Sequence, residues 1–163
     1  MLISHGTRNL LVERLRRLFG APPSRVQVAA LPWRRGAGGV EILLVTSRGT
    51  GRWVLPKGWP EGVETLYAAA EREAAEEAGV TGAVARQRLG SFFYGKRQAS
   101  GMERRCEVHV FPLEVDREAD RWPEDAQRRR EWLAPDEAAR RVSEPDLAEL
   151  IARFAVNPRQ SAA

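Results

Sequence analysis

Three glutamates within five residues, Glu73, Glu76 and Glu77, follow Arg72 in a run of small helix-forming residues. Carboxylates so close together, with no His or Cys nearby, are hard oxygen donors and suit Mg²⁺ or Mn²⁺ better than softer ions. They also repel one another. Like charges one helical turn apart cost an exposed helix about 0.2–0.5 kcal/mol, and burial without a partner costs more. A cation is therefore expected among them.

The element that must position these groups is legible. Leu66 to Ala78 is rich in Ala, Glu and Leu, lacks Gly and Pro, and meets Gly79 where a left-handed C-terminal cap belongs, which predicts a helix. At about 100° per residue, Leu66, Tyr67, Ala70, Ala74 and Ala78 share one stripe, with Glu77 inside it and Glu73 at its edge. Glu76 lies further round, within i, i+4 reach of Arg72. Ala68 and Ala75 take the opposite face. An ordinary acidic helix face is solvated; here the acids border the face a helix buries, while alanines occupy the face it exposes.

Gly58, five residues, Glu64, seven residues and then Arg72-Glu73-Ala74-Ala75-Glu76-Glu77-Ala78-Gly79-Val80 together resemble the signature of the Nudix hydrolases. That family cleaves nucleoside diphosphates linked to another moiety, and related pyrophosphates. The resemblance implies an α/β fold, an α/β/α sandwich with a mixed central sheet, and a loop-helix-loop holding Mg²⁺ or Mn²⁺ against a pyrophosphate. It makes Glu73 and Glu77 metal ligands, Glu76 a metal ligand or the base that activates water, and Arg72 the group that orients them. The carbonyl of Gly58 would complete the shell. Ala74 departs from the larger aliphatic residue usual there, which concerns packing more than chemistry.

A chain of 163 residues can build one good core and is short for two ordinary domains. No apolar run approaches membrane-spanning length, and no signal-peptide core is present. The single cysteine, Cys106, excludes an internal disulfide, suits a reducing cytoplasm and sits in an alternating strand pattern that reads as packing. The net charge of +4 is uneven: Glu61 to Gly79 holds six Glu and one Arg, a net −5, so the remainder carries +9. A basic body around an acidic centre suits a small polyanionic phosphate substrate. Nucleic acid is the competing explanation for a pI near 10.0, but no aromatic-basic repeat supports it.

Residues 1–23 read as an amphipathic helix, Arg8 to Phe19, with Leu10, Leu11, Leu15 and Leu18 between basic residues, then a linker at Ala21-Pro22-Pro23. Docking on the domain or on a second subunit, hence a homodimer, is its leading reading; membrane-surface binding is the weaker one. Residues 24–156 form the expected Nudix-like domain and 157–163 a flexible tail. Strands are expected over Arg25 to Trp33, Val40 to Thr46, Trp53 to Leu55, Val84 to Tyr94, Cys106 to Val115 and Arg128 to Leu133. Helices are expected over Pro135 to Arg141 and Pro145 to Phe154. Pro56-Lys57-Gly58 leads into the motif, where glycine lets the backbone approach an ion.

Further candidates are cationic or acidic loop residues. Lys57 stands beside the Gly58 carbonyl, and the segment Gly95 to Arg105 carries Lys96, Arg97, Arg104 and Arg105, suited to gripping phosphates. A loop over Asp116 to Gln127 offers Glu124 as an additional acid. Leu44 to Arg48, Trp53 to Gly58 and Arg130-Glu131-Trp132 are similar to the diphosphoinositol polyphosphate phosphohydrolase branch, a likeness running from Arg25 to Leu133. That resemblance implies Arg48, Lys57, Arg105 and Arg130 around a crowded phosphate ring. Dinucleoside polyphosphate hydrolases are close in pattern, and ADP-ribose, nucleotide sugars and RNA 5′ ends are further substrate classes. A non-catalytic Nudix-fold sensor or RNA-binding module would suit a degenerate glutamate set; this one is complete.

Overall fold

The computed structural model describes residues 4–20, 24–97, 101 and 103–158. In chain order the elements are α1 (His5–Leu18), β1 (Arg25–Gly36), β2 (Gly39–Thr46), β3 (Trp53–Val54), β4 (Lys57–Gly58), α2 (Leu66–Ala78), β5 (Val80–Val84), β6 (Gly90–Arg97), β7 (Glu103–Glu118), β8 (Arg130–Leu133), α3 (Pro135–Arg141) and α4 (Pro145–Val156). One mixed sheet of eight strands runs β3-β2-β1-β7-β5, with β4 paired to β1, β6 to β7 and β8 to β2. The β1–β7 pairing at its centre is parallel, and the flanking pairings are antiparallel.

From Val28 to Trp33 the central strand β1 is apolar without interruption because both of its faces are covered there. Val28 and Ala30 pack with Ala69, Ala70, Ala74 and Ala78 of α2 on one side. Ala29, Leu31 and Trp33 pack with Leu147, Leu150, Ile151 and Phe154 of α4 on the other. The sheet is thus sandwiched between helices. Small alanines on α2 bring that helix close to the sheet, and with it the glutamates on its flank. Ala74, fully buried, is part of this close approach.

Several elements differ from the sequence expectation. Val84 to Tyr94 is two strands, not one, with β5 and β6 each pairing along β7 and the register shifting across residues 85–89. Pro112 lies at that shift. Its carbonyl accepts from Ala85 N at 2.8 Å, but proline has no N–H to return, so the ladder breaks there. Lys57–Gly58 is a short strand on β1, with Val28 opposite Gly58, where a loop was expected. In the Gly95 to Arg105 segment, which joins two strands as expected, the described residues 95–97 and 103–105 prolong those strands, β6 and β7 pairing out to Arg97 and Glu103. On α2, Leu66 is exposed and Ala69 takes the buried place in its stead. The Ala21 to Pro23 linker and most of the 157–163 tail lie outside the described residues.

Candidate active site

Helix α2 begins at Thr65, whose side chain accepts from Ala68 N at 3.4 Å, and ends at Gly79 in the left-handed region. Between these caps its outer edge delivers Glu73, Glu76 and Glu77 to a cleft of about 620 Å³. Strand β4 forms the facing wall. The backbone N–H of Lys57 donates to Glu77 Oε2 at 3.0 Å, and Gly58 lies so close to the Glu73 carboxylate that a Cβ would collide with it. A side chain at 58 would push the Glu73 carboxylate out of its place beside Arg72.

Glu73 and Glu77 are 8% and 7% exposed. Desolvation pushes both carboxyls above the usual range, opposed for Glu73 by Arg72 and for Glu77 by the Lys57 amide and Arg128. The Glu76 side chain keeps 45% of its surface. Two arginines meet these charges. Arg72 donates to Glu73 Oε1 at 2.8 Å, Glu76 Oε2 at 3.3 Å, Glu64 Oε1 at 2.9 Å and the Trp59 carbonyl at 3.0 Å. It therefore ties the helix to the loop before it. Arg128, buried, donates to Glu77 and to Glu124, and its remaining nitrogen reaches the Thr46 carbonyl at 2.9 Å.

Of the ten residues singled out from sequence, the structure brings eight to this cleft: Arg48, Lys57, Gly58, Arg72, Glu73, Glu76, Glu77 and Glu124. Glu124 arrives because its backbone N–H donates to the Glu76 carbonyl at 3.3 Å, and Arg48 pairs with it at 3.3 Å. Burial in the cleft lowers the Lys57 ammonium pKa, partly offset by Glu77.

The structure does not bring Arg105 or Arg130 to the cleft. Arg105 turns toward α1, 3.4 Å from Glu13. Arg130 closes the C-terminal end of α2, donating to the carbonyls of Ala78 at 2.8 Å and Ala119 at 2.7 Å and stacking over Trp122. Both serve packing because each lies on a strand whose outer side faces a helix or loop instead of the cleft.

Sequence reasoning missed Arg128, reading it only as the start of a strand. The signal was available: two carboxylates expected at a buried face, with Arg72 the only nearby cation, require a second partner from elsewhere in the chain. It also missed Gln27, Trp59 and Tyr94, which line the cleft beside Lys96 and Arg52.

The NUDIX domain family model matches residues 23–154. The chain belongs to the Nudix family. Nudix hydrolase 21, chloroplastic, of Arabidopsis thaliana is 36% identical over 118 residues, 70% of this chain and 58% of that protein. Diphosphoinositol polyphosphate phosphohydrolase 3-beta of Bos taurus is 36% identical over 101 residues, 60% of this chain and 57% of the relative. The chain spans about half the length of the curated relatives it matches. In fold, it is similar to a C. elegans Ap4A hydrolase in a binary complex, with TM-score 0.64, 21% identity and coverage of 83% of this chain and 98% of that one. It is also similar to the NUDIX domain of Shewanella oneidensis NrtR complexed with ADP ribose, with TM-score 0.61, 18% identity and coverage of 91% and 98%.

Proposed function

We propose that this Nudix chain is a metal-dependent phosphoanhydride hydrolase acting on a phosphate-dense substrate, with diphosphoinositol polyphosphate the best match. The observation that carries the substrate class is the state of the cleft's aromatic rings. Lys57 Nζ lies 5.2 Å from the Tyr94 centroid, and Trp59 carries Lys96 at 5.1 Å and Arg25 at 4.3 Å. Rings covered by cations offer little free face to stack a base, while the cations suit clustered phosphates. The 36% identity to the bovine phosphohydrolase agrees with this reading.

The donor set fits a hard divalent ion: two buried carboxylates whose charge is destabilised by burial, a backbone brought against them at Gly58, and oxygen as the only donor type. Among the described residues, no three acids converge around a common point as they stand; Arg72 takes up Glu64, Glu73 and Glu76, and Arg128 takes up Glu77 and Glu124. Glu73, Glu77 and the Gly58 carbonyl are the groups that would hold Mg²⁺ or Mn²⁺, with Glu76 at their margin. The ion would supply charge neutralisation at the phosphates and a more acidic water.

The chain's own groups have separable tasks. Arg48, Lys57 and Lys96 bind and orient the phosphates, and offset charge as it moves to the leaving phosphate. Glu76, the most solvent-accessible of the three acids and held at one oxygen by Arg72, accepts the proton of the attacking water. The water oxygen bonds to phosphorus as the anhydride P–O bond breaks. Arg128 positions Glu77 and Glu124.

The test is phosphate and nucleotide release, with Mg²⁺ and then Mn²⁺, from diphosphoinositol polyphosphate, diadenosine polyphosphates, ADP-ribose and 5′-triphosphorylated RNA, with Glu77→Gln as control. Glu77-dependent release favouring the inositol substrate is expected. Preference for ADP-ribose or a dinucleotide would overturn the substrate class and leave hydrolysis standing. Tight binding without release would make the chain a sensor.

A further inference from the structure

Helix α1 is attached the wrong way round for an ordinary amphipathic helix. The side turned to the domain is polar: Asn9 Nδ2 donates to Asp146 at 2.8 Å, the backbone of His5 donates to Glu149 at 3.0 Å, and Glu13, 5% exposed, pairs with Arg105. No α1 residue belongs to either hydrophobic core. At about 100° per residue, Leu11, Leu15 and Leu18 lie opposite Asn9 and Glu13. They are 52%, 45% and 79% exposed, and Phe19 follows at 87%. Among the described residues nothing covers this face.

Its charge selects an occupant. Arg8 and Arg14 flank the leucines, Arg16 and Arg17 end the helix, and its only acid, Glu13, is turned inward. A second copy laid on this face would set arginines against arginines with no exposed acid on the helix to meet them. An anionic lipid surface meets both features, taking leucines into the acyl boundary and arginines at the headgroups. A 14-residue helix spans about 21 Å, too short to cross a bilayer and long enough to lie along it. We infer that α1 docks the protein peripherally on an anionic membrane through Leu11, Leu15, Leu18 and Phe19, ringed by Arg8 and Arg14.

Co-sedimentation of the full chain with vesicles of phosphatidylcholine alone, and of equal parts phosphatidylcholine and phosphatidylserine, tests this, with sedimentation velocity run beside it. Binding is expected to the anionic vesicles only, weakened by about tenfold or more both in Leu11→Asp/Leu15→Asp and in Arg8→Glu/Arg14→Glu. These side chains are exposed, so circular dichroism should show an unchanged fold. Undiminished binding by the leucine variant would overturn the inference, as would equal binding to neutral vesicles or no binding at all. A dimer dissolved by the leucine variant, without vesicle binding, would give the face to a second copy instead.

Discussion

Within the cleft, neighbouring glutamates differ because burial differs. Glu73 and Glu77 are enclosed while Glu76 keeps solvent access; under the function proposed above, the first two would hold the ion and Glu76 would act on the water. Glu76→Gln is therefore expected to lower turnover by about 10²–10⁴-fold with the fold intact, measured as metal-dependent phosphate release. A rate near wild type would remove Glu76 as the base. Mg²⁺ should raise the melting temperature of the wild type and not of the Glu73→Gln/Glu77→Gln double variant, since an ion bound only to the folded state stabilises it. Arg128 carries a different cost. Replacing it by Met leaves Glu77 buried beside Glu124 without its cation, and a loss of about 3–5 kcal/mol is expected in urea denaturation.

At the scale of elements, the site is the product of one helix and one short strand approaching closely. Alanines along α2 allow the approach, and Gly79, at φ 65°, ends the helix where Trp122 and Arg130 close over it. Gly79→Ala meets both a left-handed backbone and occupied space, so it should destabilise by more than the roughly 1 kcal/mol of the conformation alone, read from the same urea titration. If it were neutral, the packing of β8 against the helix end would be wrong. Helix α1 stands apart from this arrangement. Its attachment is polar and it shares no core, so its amides should exchange with deuterium faster than those of β1 and β7.

For the whole molecule, an acidic centre inside a basic body suits the polyanionic substrate proposed above. Raising ionic strength should raise KM for an inositol or dinucleotide substrate while changing kcat much less, because screening acts on the exposed cations more than on the enclosed acids.

The amino-acid sequence by itself determined the elements whose cause is local. Helix α2 runs from Leu66 to Ala78 as its alanines, glutamates and Gly79 cap require, and α3 from Pro135 to Arg141. The alternate faces of β1 are written in its apolar run, and the spacing of Gly58, Glu64 and the Arg72 to Val80 stretch indicated the family. Tertiary structure decided whatever depended on a distant partner. Arg128 meets Glu77 from 51 residues away, a pairing with no periodicity to announce it. Pro112 splits the strand expected from Val84 to Tyr94 only because that strand pairs with β7. Arg105 and Arg130 match cleft residues in charge and go elsewhere, since the orientation of each strand determines where its side chain reaches. The leucines of α1 face outward for the same reason: periodicity defines an apolar face, and only the fold decides what that face meets.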